Sequence, residues 1–113
     1  MEIRELKGKD LYRLSKMLRK MNIRREIKGL ITDVTGKTEE EKKAKAEEIA
    51  LEVAFIVLEN IGNAEKEANQ FFGDLVGLKP EEFAELPVKE IVEIVKKVVE
   101  GEDFQDFFEQ AVQ

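Results

Sequence analysis

Carboxylates are the most numerous reactive groups in this chain, and they come in close sets, as in "EEIALE" (47–52) and "GEDFQD" (101–106). Paired carboxylates can share general-acid and general-base work or hold a divalent cation. Each of those uses needs more than the pair. A carboxylate-bridged metal bundle adds histidine in a Glu-x-x-His arrangement, and this chain has no histidine. A calcium loop follows alternating acids with a glycine and a distal glutamate, a spacing found nowhere here. Instead Glu and Asp interleave with Lys on outward arcs, the pattern of a solvated helix surface. Nucleophilic catalysis fares no better: Ser15 is the only serine, there is no histidine to serve as its base, and there is no cysteine. The seven glycines are scattered at helix ends and in a linker, so no phosphate-cradling loop forms. No catalytic, metal-ligating or cofactor-binding residue is therefore assigned; no cofactor and no enzymatic activity are expected.

A second chemistry is electrostatic. The stretch "RLSKMLRKMNIRREIKG" carries Arg13, Lys16, Arg19, Lys20, Arg24, Arg25 and Lys28, a stripe suited to phosphate or to an acidic protein surface. Two short helices at 10–32 would superficially imitate a helix-turn-helix, which keeps a nucleic-acid-binding regulator as an alternative. Against it, the turn between them lacks a convincing glycine, the Asn and Gln that read bases are nearly missing, and the rest of the chain is acidic. Residues 1–45 carry 14 Lys/Arg and 8 Asp/Glu, whereas residues 46–113 carry 5 Lys and 17 Asp/Glu. The formal net charge of −6 thus hides a basic first part and a strongly acidic second part. Such a division suits a protein partner, or complementary surfaces on copies of the same chain; a generic helical adaptor would show it as well.

The third candidate is aromatic. Phe104, Phe107, Phe108 and Ala111 recur at i, i+3, i+4 and i+7, so one face of a closing helix is lined with rings while Asp103, Asp106, Glu109 and Gln110 take the other. These rings either complete the protein's own core or dock into a neighbouring subunit or partner, since both use the same anchors.

The elements that carry these residues read as all-α: a single-domain bundle of five to six short helices around a central apolar helix. A short extended arm is expected at residues 1–8. Leu11, Leu14, Leu18 and Met21 then mark an amphipathic helix, with Asp10 placed as its N-cap. A weaker helix follows over 22–34. A linker at about 35–40 separates the basic part, 1–36, from the acidic helical part, 40–113. Thr38 with Glu41 forms a capping box for a helix reaching Asn60, and its "VAFIVL" (53–58) is apolar all round, which predicts burial on every side. Ala64, Ala68, Phe71, Phe72 and Leu75 share one face of the next helix. Pro80 opens a short turn, "KPEEFAEL", and Pro87 opens the following helix, each from a first-turn position where a missing N–H costs nothing. In that helix, Val88, Ile91, Val92, Val95, Val98 and Val99 form a single apolar arc. At 113 residues the chain is long enough for one core without staples. "MEIRELKGKD" has no apolar leader segment, and "IALEVAFIVL" is half the length of a membrane span and is broken by Glu52. A cytoplasmic protein without membrane contact is expected.

Taken as a unit, "NQFFGDLVGLKPEEFAELPVKEIVEIVKKVVEGEDFQDFFEQA" resembles the C-terminal part of the tail assembly chaperones of long-tailed bacteriophages and related prophages. The shared pattern is an aromatic-rich helix, "GL-x-P-E-E-F-x-x-L-P", an amphipathic helix, an acidic Asp-Phe turn and a last phenylalanine-bearing helix. The matching positions are Phe71, Phe72, Leu78, Pro80, Phe83, Leu86, Pro87, Phe104, Phe107 and Phe108. The resemblance covers about Asn69–Ala111, with a looser likeness at "MEIRELKGKDLYRLSKML". It implies a small helical protein of the host bacterial cytoplasm, matching the family's short, non-frameshifted form. Such a protein binds the tape measure protein, helps tail tube protein assemble around it, and self-associates as a homo-oligomer. No catalytic residue is carried over. The candidate partner-binding residues are the seven cations from Arg13 to Lys28 together with Phe104, Phe107 and Phe108.

Overall fold

Helix-favouring composition and period dominate the outcome. The computed structural model describes residues 2–32 and 38–111, with the side chains of 31, 32, 42, 43, 46, 105 and 108–111 outside that description. It is all-α: α1 (Gly8–Met21), α2 (Arg24–Thr32), α3 (Glu39–Asn60), a 3-10 turn (Ile61–Ala64), α4 (Glu65–Leu75), α5 (Pro80–Ala84), α6 (Val88–Glu100) and α7 (Glu102–Ala111). These are seven α-helices among the described residues, where five or six were expected. The short α5 stands as a helix of its own. Of the linker expected at 35–40, residues 35–37 lie outside the described residues, and 38–40 already form the cap and first turn of α3.

Local chemistry fixes the ends of these helices. Thr38 caps α3 by accepting the Glu41 N–H at 3.2 Å, one of the two bonds of the expected capping box. Pro80 sits in the first turn of α5, and Glu82 reaches back to accept the Lys79 N–H at 3.0 Å. Asp10 is a correction: α1 begins at Gly8, so Asp10 is the third helical residue, and its carboxylate accepts the Lys7 N–H at 2.8 Å instead of capping from outside. Asn22 closes α1 in the left-handed region at φ 58°, doing the work of the missing turn glycine. Gly77, at φ +76°, ends the α4 stretch in the same way.

The core forms where apolar stripes coincide. α4 is the most enclosed element: Ala68, Phe71, Phe72 and Leu75 are all buried, packed against α1 on one side and α5 on the other. Phe71 and Phe72 meet edge-on with centroids 5.0 Å apart, and Phe83 of α5 stacks on Phe72 at 6.2 Å. That stacking needs α5 close to the α4 backbone. A Cβ on Gly73 would lie 3.1 Å from the Leu78 carbonyl oxygen and 3.2 Å from Phe83 Cβ. α3 runs against α6, with contributions from α2 and the 3-10 turn, and buries Ala50, Val53, Ala54 and Val57.

Two expectations about burial are revised. α3 is not enclosed on every side: Leu51 is 43% and Phe55 53% exposed, because α6 and the 3-10 turn cover only the arc of Ala50, Val53, Ala54 and Val57. The valine arc of α6 is covered only in its C-terminal half. Val95, Val98 and Val99 are buried, whereas Val88 and Val92, on the same side nearer the N-terminus, are exposed.

Glycine substitutions separate the crowded position from an open one. Gly29 lies inside α2, and a Cβ there meets nothing within 4 Å. Gly29→Ala is expected to raise stability by about 0.5–1 kcal/mol through helix propensity. Gly73→Ala is expected to lower it by about 1–2 kcal/mol, since the opposing atoms are backbone and a ring-bearing Cβ that cannot swing away. Urea denaturation of the two variants beside the wild type checks both signs.

Candidate interaction surface

The basic early segment is held to the acidic later one by ion pairs centred on Arg4. Residues 2–7 precede α1 as a non-helical arm, in agreement with the expected extended segment. Arg4 in that arm places Nη1 2.6 Å and Nη2 2.8 Å from the two carboxylate oxygens of Asp10, a bidentate fork. The same guanidinium bonds the Asp74 carboxylate and sends Nε to the Asp74 carbonyl oxygen at 3.3 Å, while the Arg4 N–H donates to the Leu75 carbonyl at 2.9 Å. The last carbonyls of α4 thereby gain donors and a cation at the end of the helix that favours positive charge. Arg13 joins Asp74 at 3.1 Å and Lys9 at 3.4 Å. One node therefore ties the arm, the first turn of α1 and the end of α4.

The node sets the protonation of its members. The Arg4 hydrogen bond holds the Asp10 carboxyl below its ordinary value of 3.8, outweighing burial, with the Lys7 N–H helping. For Asp74, burial pushes upward, but the Arg4 hydrogen bond and the charges of Arg4 and Lys9 bring the net shift below the ordinary value. Arg4 is shifted upward, above all by its bond to Asp10. A second link, Lys20 Nζ to Glu67 Oε1 at 2.9 Å, holds α1 to α4 and lowers the Glu67 pKa.

The sequence-derived candidates divide accordingly. Arg13 and Lys20 are engaged within the chain by Asp74 and Glu67. Lys16, Arg19, Arg24, Arg25 and Lys28 lie exposed on the outer side of α1 and α2. Phe104 is 2% exposed, and its place among the partner-binding candidates is withdrawn: it belongs to the protein's own core. Phe107 is half-buried against that core, and the Phe108 side chain lies outside the described residues. The periodicity grouped Phe104 with Phe107, both of which pack on the core, but could not say which element covers them.

Sequence reasoning missed the exposed apolar residues. Besides Leu51, Phe55, Val88 and Val92, these are Leu11 at 43% and Tyr12 at 74%, which stand beside Lys16 and Arg19 on the outer face of α1. Leu11, expected in the stripe with Leu14, Leu18 and Met21, lies at its edge and is left partly uncovered, whereas Tyr12 falls on the opposite side of α1, a placement the helical period already gave. Two grooves border the arm. One, of about 330 Å³, lies between it and α7 and includes Glu5, Asp103, Asp106 and Phe107. The other, of about 510 Å³, reaches Leu75, Val98 and Phe104. Among the described residues no group of three or more Asp, Glu, His or Cys side chains is arranged to hold a metal ion, and no helix is long and apolar enough to cross a membrane.

Comparison with protein-family models, curated proteins and solved structures finds no match to this chain.

The node has a pH signature. Asp10 and Asp74 have folded-state values below the unfolded one, so the stability they contribute is complete above about pH 4 and is lost as pH falls through their depressed values. Arg4→Met is expected to cost about 2–3 kcal/mol at neutral pH, because it strips the cation from the buried Asp10. The variant should also lose less stability than the wild type on acidification to about pH 3. Urea midpoints measured across that range check both; parallel curves would remove the node from the pH dependence.

Proposed function

We propose that this chain is a non-enzymatic tail assembly chaperone of a long-tailed bacteriophage or prophage, acting in the host cytoplasm on the tape measure protein and assisting tail tube assembly, with self-association as part of its action. The observation that carries the reading is the run from Asn69 to Ala111, which resembles that family in its aromatic helix, its "GLKPEEFAELP" turn, its amphipathic helix and its final phenylalanine helix. The geometry is compatible with it in a particular way. The residues that carry the resemblance are largely scaffold: Phe71, Phe72, Phe83 and Phe104 are buried and position α1 and α3, whose outer sides remain uncovered. An exposed Leu, Tyr and Phe set flanked by long charged side chains is suited to contact with protein, as an assembly factor that self-associates requires.

The nucleic-acid alternative is weaker on the same geometry. Two of the seven cations in the basic stripe, Arg13 and Lys20, are already neutralised by Asp74 and Glu67, which shortens any phosphate-tracking surface.

Co-expression decides the matter. A tape measure chain encoded beside this protein is expected to be largely insoluble alone, and to become soluble and co-purify when this protein is present. Equal insolubility in both cases, together with retention of this protein on DNA at moderate salt, would replace the reading with a nucleic-acid-binding one.

A further inference from the structure

The outer faces of α1 and α3 are each uncovered, and their residues match one another. Along α3, Ala44, Glu48, Leu51, Phe55 and Leu58 follow alternating steps of four and three, the spacing of a helix-packing seam. Ala44, Glu48, Leu51 and Phe55 are exposed and Leu58 is half-buried. Further exposed glutamates, Glu47, Glu52 and Glu59, border the seam, and Glu48 pairs with Lys45 at 3.4 Å while 72% of its side chain stays exposed. Along α1, Gly8, Tyr12, Ser15 and Arg19 repeat the four–three–four spacing and are all exposed, with Leu11 and Lys16 beside them. One seam is acidic and apolar. The other is basic and carries an exposed tyrosine.

We infer that α1 of one copy packs antiparallel on α3 of the next, Tyr12 against Phe55, Ser15 against Leu51, and Arg19 against Glu48. The register follows from equal spacing. Tyr12 and Arg19 are seven residues apart, as are Phe55 and Glu48, so both pairs come into line at once at about 1.5 Å of rise per residue. Ser15, small, faces the larger Leu51, which lets the helices approach. Tyr and Arg are the residue types that most often anchor such contacts. An α3-to-α3 pairing would instead bring glutamate borders together. The contact joins different surfaces on the two copies, so it is heterologous and propagates into a ring or a filament. Charge matching sets its register and direction, and the apolar residues supply the affinity.

This deepens the self-association in the proposed function but is tested separately from client capture, which the co-expression experiment reads with wild-type protein. Sedimentation velocity over a concentration series is expected to show association at low salt that weakens as salt rises. Arg19→Glu and Glu48→Arg should each weaken it by roughly tenfold or more, and the two combined in one chain should recover most of the loss. Tyr12→Glu mixed with Phe55→Lys should stop at one-to-one pairs, since each variant keeps one intact face. All substituted side chains are exposed, and unchanged circular dichroism confirms that the variants fold. A wild type that stays monomeric at every concentration, a charge swap that restores nothing, or loss of association in Phe55→Lys but not in Tyr12→Glu would each overturn the contact. If the tape measure chain is still solubilised in that event, the chaperone reading survives without it.

Discussion

The fork from Arg4 to Asp10, extended to Asp74, is the contact on which the rest of the molecule turns. It ties the arm and the adjoining start of α1 to the end of α4, some 70 residues further along the chain. Asp10 does two jobs with one carboxylate. It satisfies a backbone N–H at the start of α1 and it receives the guanidinium, so its side chain stays ionised though fully buried. Without that node the hydrophobic stripe of α1 would still seek the phenylalanines of α4. The rotation of α1 about its own axis would then rest on apolar contact, which is not directional, and on the Lys20–Glu67 pair near its other end. Rotation matters because it decides which residues face outward: Tyr12, Ser15 and Arg19 do so only with Leu14, Met17 and Met21 turned inward.

Burial is distributed unevenly over the helices, and the unevenness has a functional meaning. α4 lies in the thick of the core and carries the tightest approach, at Gly73. α3 is the longest helix yet buries only one arc, leaving a second apolar seam beside it. A helix with two apolar seams has more apolar surface than its own domain can cover, and such surface is a usual mark of a protein-binding face. The strong charge division between the two parts of the chain serves both sides of this arrangement. Part of it is used internally, at Asp74 and Glu67, and exposed charge remains on α1, α2 and α3 among other helices.

Much of the fold was legible in the sequence because its signals are local. Period-3.6 stripes located α1, α4, α6 and α7, and Thr38, Pro80 and Pro87 marked boundaries through capping and backbone chemistry. What could not be read is relational. "VAFIVL" is apolar on every side, yet composition alone does not reveal that neighbours cover only one arc and leave Phe55 outside. Val88 and Val95 occupy the same stripe of α6, and only the position of α3 and α7 distinguishes the exposed one from the buried one. The Arg4 node was invisible for a similar reason, since it links residues that are up to 70 apart in the chain. The interaction surface was thus half legible: its cations were evident, its apolar anchors were not.

The account rests on one claim, that the uncovered seams of α1 and α3 exist to be covered by protein. Backbone amide NMR spectra recorded along a concentration series at low salt test it most directly. Resonances of Gly8–Arg19 and of Ala44–Leu58 are expected to shift together as concentration rises, while those of α4 stay in place. Shifts confined to the arm grooves or to α6, or none at any concentration, would contradict it.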